Sequence, residues 1–183
     1  GAILGLRSKF PKGLEDLSQL KGKRIGTGPT IGLAQFALDS HLARVGLSIR
    51  DVVPVMVDFR HSMAALLGGS VDAVVGPDDA DRDLASLSSE IVHSVPLSGL
   101  YPNFQYSHIL FGASLTKRDT GPGARFIAAY LRGARDFAGG RSPRFMKEFI
   151  KDGNLDEKTA MQMCRNTFPL DGAIDLNSLG LFV

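Results

Sequence analysis

Residues 21–46 read KGKRIGTGPTIGLAQFALDSHLARVG, and the order of residue types in this stretch decides the fold. A basic turn leads into a short strand at 23–26, a glycine-rich corner at 27–30 and a helix ending near Gly46. Ala34, Leu38, Leu42 and Val45 recur at the spacing of one buried helix face, and Gly46 follows as a stop. A strand that turns sharply into a helix leaves the first helical N–H groups without backbone partners. The corner is thus suited to an anion or a polar ligand group. Pro29 fits such an entry, and Thr30 is the candidate N-cap.

Working outward, the β-branched run at 52–57 predicts a second strand, 63–67 a short helix closed by Gly68-Gly69, and 71–75 a third strand. Strand, helix, strand, helix, strand in this order requires right-handed crossovers and a mainly parallel sheet. Such sheets bind ligands beyond the carboxyl ends of their strands, where the loops 27–31, 58–62 and 76–79 gather. Extended segments at 91–95 and 108–113 bring the expected sheet to five strands. Upstream, residues 2–6 are apolar enough for a strand of their own.

From Thr120 onward the pattern turns helical. Phe126, Ile127, Tyr130, Leu131, Ala134 and Phe137 mark one amphipathic helix, and Phe145, Met146, Phe149 and Ile150 a second. Residues 155–167 read as a third, with Asp156 as its cap, and 175–183 as a last short one. Their apolar faces exceed what one sheet needs, and they fit the cover of a second sheet.

Composition narrows the functional classes. With 183 residues, 44% hydrophobic and 22% charged, the chain has the make-up of a globular protein with one sizeable core or two small lobes. A net charge of +2 with dispersed basic residues argues against nucleic acid. Arg125, Arg132, Arg135, Arg141 and Arg144 sit at spacings of a solvated helix face. The single cysteine, Cys164, leaves no intrachain disulfide and no metal or redox pair. No apolar run is long enough to span a membrane.

Several motifs fail on spacing. The glycines of Gly26, Gly28 and Gly32 place the third one residue too late for a dinucleotide fingerprint, and no Gly-Lys-Ser/Thr follows to make a phosphate loop. Asp79, Asp81, Asp83 and Glu90 have the spacing of a calcium loop, but Leu84 stands where the sharp turn requires glycine. Acidic residues in the first turn of a helix explain that cluster more simply. His41, His61, His93 and His108 include no i, i+4 pair for zinc. No metal ligand, cofactor or nucleophile elbow is expected. Asp72, at a strand start, is read as a structural hydrogen-bond acceptor.

Three segments carry a family resemblance: Leu20-Lys21-Gly22-Lys23-Arg24-Ile25-Gly26, Leu42-Ala43-Arg44-Val45-Gly46-Leu47, and AALLGGSVDAVV at 64–75. They resemble the substrate-binding proteins of bacterial ABC importers, of the sulfonate, nitrate and taurine (NMT1/THI5-like) type. The helix at 123–137 fits that pattern as well. The resemblance implies an α/β fold, a type II periplasmic-binding-protein lobe whose mainly parallel five-stranded sheet is flanked by helices and followed by a helical C-terminal segment. It implies a fragment: 1–21 as a crossover from a first lobe not present here, 22–113 as the second lobe, and 114–183 as the helical return. The implied function is capture of a small polar molecule between two lobes without catalysis, for an ABC transporter permease. The implied location is periplasmic or extracytoplasmic, with the membrane reached only through the transporter or a lipid anchor.

The resemblance also points to ligand-binding positions. Thr27, Gly28, Thr30 and Ile31 match the family's small polar loop that faces ligand, and Asp58, His61, Asp78 and Asp79 follow by place in the neighbouring loops. The aromatic residue common after the third strand is replaced by Gly76-Pro77-Asp78-Asp79, and carboxylates there disfavour a bare anion. Phe104 and Tyr106 are either ligand-stacking or hinge-covering aromatics. Two other classes share the architecture. One is a thiamine-pyrimidine-precursor synthase, which carries a cysteine-rich iron motif that a lone Cys164 does not match. The other is the effector domain of a LysR-type regulator, which follows a helix-turn-helix.

Overall fold

Five strands form one mixed sheet, in the order β3-β2-β4-β1-β5: β1 Ala2–Leu6, β2 Arg24–Thr27, β3 Val53–Met56, β4 Ala73–Gly76 and β5 Ile91–His93. The computed structural model describes residues 1–28, 32–58, 61–76, 89–105, 107–113, 115–116, 120–152, 157 and 167–181. They fall into two compact units, Gly1–Pro102 and Asn103–Val183.

In the first unit β2 runs parallel to β3 and β4, whereas β1 runs antiparallel to both β4 and β5. Four strands therefore point one way, and β1, inserted between β4 and β5, points the other. Two of the four ladders are parallel and two antiparallel, so the sheet is mixed, and its β3-β2-β4 part is the parallel portion that the strand–helix order requires. Its fifth member is not the expected one, however. Residues 108–113 lie in no strand, and Leu110 there is 89% exposed. The place is taken by β1, whose Ala2, Ile3 and Leu4 are all buried. A run without polar alternation is what a central strand covered on both faces needs. β3 is an edge strand, which is why Pro54, lacking an N–H, is tolerated in it.

Helices cover the sheet. Leu4, Leu66, Val71, Val74 and Ile91 form a buried cluster, with Val55, Val57 and Met63 packed against it. Leu66 and Met63 come from α2, Ser62–Leu67. The long crossover helix α1, Leu33–Ala43, buries Ala37, Leu38, His41 and Leu42. Leu38 and Leu42 hold the expected positions, while Ala37 and His41 complete the face. Gly46 ends the helix as expected: its φ is +72°, and the Leu47 N–H donates to the Leu42 carbonyl at 3.0 Å. This is the left-handed stop that glycine allows at no steric cost. Between β1 and β2 the chain folds Phe10 over the sheet. Its ring packs so tightly on Gly5 that a Cβ there would lie 2.5 Å from it.

The edge where β2, β3, β4 and β5 begin is pinned by a carboxylate. Asp72 accepts from the Arg24 backbone N–H at 2.9 Å, from its guanidinium at 3.2 Å, and from Lys9 Nζ at 2.6 Å. Its own N–H donates to the Arg24 carbonyl at 2.7 Å. The role read from sequence, a structural acceptor, is the one the side chain fills. The Arg24 side-chain bonds hold its carboxyl well below the usual carboxylate range, against the opposing effect of burial and with Lys9 adding to them.

Among the described residues of the second unit three helices stand out: α3, Gly121–Ala138; α4, Pro143–Asp152; and α5, Leu176–Gly180. Phe137 meets Phe145 and Phe168 edge-on, at 5.5 and 5.9 Å between ring centroids. Asp175 caps α5 by accepting from the N–H groups of Asn177 and Ser178. Gln105 ties the start of the unit to this cap. Its N–H donates to Ser178 Oγ at 2.6 Å, its Oε1 accepts from the Asp175 N–H at 2.8 Å, and its Nε2 donates to the Ala173 carbonyl at 3.0 Å. The helix expected at 155–167 falls almost entirely outside the described residues.

Candidate functional site

The parallel strands β2 and β3 end side by side. Thr27 lies opposite Met56, and the Val57 N–H donates to the Thr27 carbonyl at 2.8 Å. The chain therefore leaves the sheet at Gly28 from one strand and at Asp58 from the next, along one carboxyl edge. β4 ends on the same edge at Gly76, opposite Ala2. The edge follows from the alternation of strand and helix, and it gathers the first two of the three loops expected from sequence within the described residues.

Each candidate side chain has a distinct setting. Thr27 is buried, and its hydroxyl donates to the Gly28 carbonyl at 3.2 Å, which leaves its oxygen lone pairs as acceptors. A Cβ added at Gly28 would meet nothing within 4 Å among the described residues. Asp58 and His61 are both largely exposed, with 3.8 Å between the Asp58 carboxylate and His61 Nδ1. The His61 N–H donates to the Asp58 carbonyl at 2.9 Å, which holds the two together at the entry of α2. The structure thus brings Thr27, Gly28, Asp58 and His61 to one edge. Thr30, Ile31, Asp78 and Asp79 lie outside the described residues, as does Tyr106.

The helix entry differs from the expected one. α1 begins at Leu33, and its N-cap is Gly32 rather than Thr30, with extended backbone and no side-chain cap bond. Glycine has no side chain to close on the first turn. The first intrahelical bond runs from the Phe36 N–H to the Gly32 carbonyl at 3.1 Å, and no acidic residue stands in the first turn. The backbone donors that precede it are the orphan groups of any helix start. Met56, 77% exposed at the end of β3, is an edge residue that the sequence reading passed over. Its only signal there is its place at the end of an edge strand. Among the described residues no group of histidines, cysteines and carboxylates is placed to hold a metal ion.

A family model described as NMT1/THI5 like matches residues 4–139, a span that includes α3 and all of the sheet except the first two residues of β1. The chain belongs to the NMT1/THI5-like family. Two solved structures resemble this family member in fold. One is the alkanesulfonate-binding protein SsuA from Xanthomonas axonopodis pv. citri bound to MOPS, with a TM-score of 0.65 and 22% identity over 88% of this chain and 53% of that one. The other is the periplasmic aliphatic sulphonate binding protein SsuA from Escherichia coli, with a TM-score of 0.60 and 18% identity over 87% of this chain and 52% of that one. The chain spans about half the length of these structures. No curated protein matches it.

Proposed function

We propose that this chain is part of a solute-binding receptor for an ABC import system, which captures a small polar molecule between two lobes and performs no chemistry on it. The observation that carries the proposal is the carboxyl edge. There a buried threonine hydroxyl, an open glycine corner and a helix start without a side-chain cap succeed one another along the chain. These groups offer hydrogen bonds to a ligand and supply no nucleophile or proton-transfer pair. Family membership and the fold shared with two SsuA binding proteins support the same reading.

In this proposal residues 1–21 enter from a first lobe, 22–113 form the second lobe and 114–183 return to the first. Thr27, Gly28, Thr30 and Ile31 face the ligand from one loop, Asp58 and His61 from the next, and Asp78 and Asp79 from the third. The partner is a transporter permease, and the location is periplasmic or otherwise extracytoplasmic, with a lipid anchor as one means of attachment. Formal charges in the loops 27–31, 58–62 and 76–79 are those of Asp58, Arg60, Asp78 and Asp79, which sum to −2 with His61 neutral. A ligand carrying a positive group beside its polar or anionic one suits them better than a bare anion.

Calorimetric titration and melting of the full-length protein against sulfonates, amines, pyrimidines and carboxylates test the proposal. A member of one class is expected to raise the melting temperature with saturable heat. Absence of both for every class removes the solute-binding reading. Tighter binding of a simple sulfonate than of its amino-substituted analogue removes the charge argument alone.

A further inference from the structure

We propose that the open edge of β3 is a self-association surface for a second copy of this chain, and that Pro54 holds it closed. β3 ends the sheet order, and among the described residues only β2 pairs with it. The Val53 N–H donates to the Lys23 carbonyl at 2.9 Å and the Val57 N–H to the Thr27 carbonyl at 2.8 Å. In a parallel ladder successive residues turn their backbone groups to opposite sides. Residues 53, 55 and 57 therefore bond toward β2, and residues 54 and 56 present theirs to the open edge. Of the two donors a strand would show there, the one at Pro54 is missing.

No other device guards this strand among the described residues. Residues 52–57 read Val-Val-Pro-Val-Met-Val, all apolar, largely β-branched and without a charge. Apart from its proline, that is the composition of a segment that adds strands readily. Sheet edges are commonly blunted by a lysine, an inward-pointing charge or a bulge. Here the nearest charges, Asp51 and Asp58, stand outside the run, and the register from Arg24↔Val53 to Thr27↔Met56 is unbroken. Val53 and Met56 are 50% and 77% exposed, so apolar side chains meet solvent at both ends of the strand. A second copy fits this edge because two β3 strands can meet antiparallel about a two-fold axis passing between their Val55 residues. Residue 54 of each then lies opposite residue 56 of the other as a hydrogen-bonded pair. Proline at position 54 removes half of the N–H donors this pairing needs and sets its ring in the gap.

The inference does not rest on the solute-binding reading, and no ligand enters its test. The 183-residue chain is compared with Pro54→Thr, which restores the donor in a residue that favours strands. A second variant, Pro54→Thr with Met56→Lys, adds like charges to one face of the joint sheet. Sedimentation velocity over a concentration series measures self-association, and hydrogen exchange reads the amides of 53–57. Two further bonds of ordinary strength are expected to tighten self-association of Pro54→Thr about thirtyfold relative to the wild type. Exchange at positions 54 and 56 is expected to slow with it, and the double variant is expected to return to the wild-type association. A Pro54→Thr chain that associates no more than the wild type overturns the proposal. So does association that persists in the double variant or leaves exchange at 54 and 56 unchanged, since either places the contact elsewhere. Faster exchange throughout 53–57 overturns it as well, because the strand would then be opening and not pairing.

Discussion

Replacing Asp72 by asparagine tests whether one carboxylate holds the start of the sheet. Asp72 is reached by the Arg24 backbone, the Arg24 guanidinium and Lys9, and its own N–H bonds back to Arg24. The bonds join β2, the turn after β1 and the entry of β4, three segments far apart in sequence. Asparagine keeps an acceptor for the Arg24 N–H and loses the charge. The Asp72 side chain is 17% exposed, while those of Lys9 and Arg24 are 36% and 44% exposed. The cost of the substitution therefore lies between the near-zero value of a solvated pair and the several kcal/mol of a buried one, at about 2 kcal/mol. For a unit of this size that corresponds to a fall in melting temperature of about 8 to 16 °C.

The pH dependence has a definite sign. The folded-state pKa of Asp72 is depressed, so its stabilisation is fully present above the unfolded carboxylate value near 3.9 and is lost as pH falls through and below it. With the folded carboxyl still ionised at pH 3, the wild type loses about 1.3 kcal/mol of this contribution between pH 7 and pH 3, and Asp72→Asn loses none. Urea unfolding followed by circular dichroism at several pH values measures the gap between the two proteins. The gap is expected to narrow by that amount on acidification, with unchanged denaturant slopes. A gap that is constant with pH, or absent at pH 7, refutes the clamp.

Three further substitutions probe the core, the corner and an orphaned nitrogen. Gly5→Val drives a side chain into the Phe10 ring, where even a Cβ comes within 2.5 Å; a loss of about 2 to 3 kcal/mol is expected in chemical unfolding. Gly28→Val adds a side chain where nothing among the described residues lies within 4 Å of a Cβ, so melting is expected to stay within about 1 °C while calorimetric affinity for the identified ligand drops at least tenfold. His108 Nε2 is buried without a hydrogen-bond partner, so His108→Phe is expected to stabilise the chain by about 1 kcal/mol in the same unfolding assay.

The order of elements was legible because it rests on periodicity and glycine stops. The regions around β2, α1, β3, α2 and β4 were placed within two or three residues, and Gly46 and Gly68-Gly69 marked real ends. What failed depended on contacts distant in sequence. Ala-Ile-Leu-Gly-Leu and His-Ile-Leu-Phe-Gly-Ala are equally apolar, and nothing local tells which one finds partners on both sides. β1 became a strand because β4 and β5 flank it, whereas 108–113 has no ladder among the described residues. The N-cap was misplaced for a related reason. Thr30 has the right side chain, but the register of α1 on the sheet puts the helix start at Leu33 and leaves the cap to Gly32. Of the candidate positions, Thr27, Gly28, Asp58 and His61 lie along the carboxyl edge that strand order and the family resemblance pointed to, and Met56 was passed over because exposure at an edge strand has no local signature.

The two edges of the sheet divide chemical labour. Arg7, Lys9, Lys12, Lys21, Lys23, Arg24, Arg44 and Arg50 all belong to segments that end β1 or lead into β2 and β3, and so to the edge where the parallel strands begin. Three carboxylates there have structural partners: Asp72 on Arg24 and Lys9, Asp51 in the capping box with Ser48, and Asp16 on the Ser18 N–H. Charge at that edge is consumed in holding turns and strand entries together. At the opposite edge none of the described residues is a lysine or arginine, and the side chains given over to structure are few. A sheet whose beginnings are locked by charge can leave its ends to a buried hydroxyl, an open glycine and uncapped backbone. In the proposed receptor this edge meets the ligand through hydrogen-bonding groups, so Gly28→Val probes that part of the proposal separately from the loop charges.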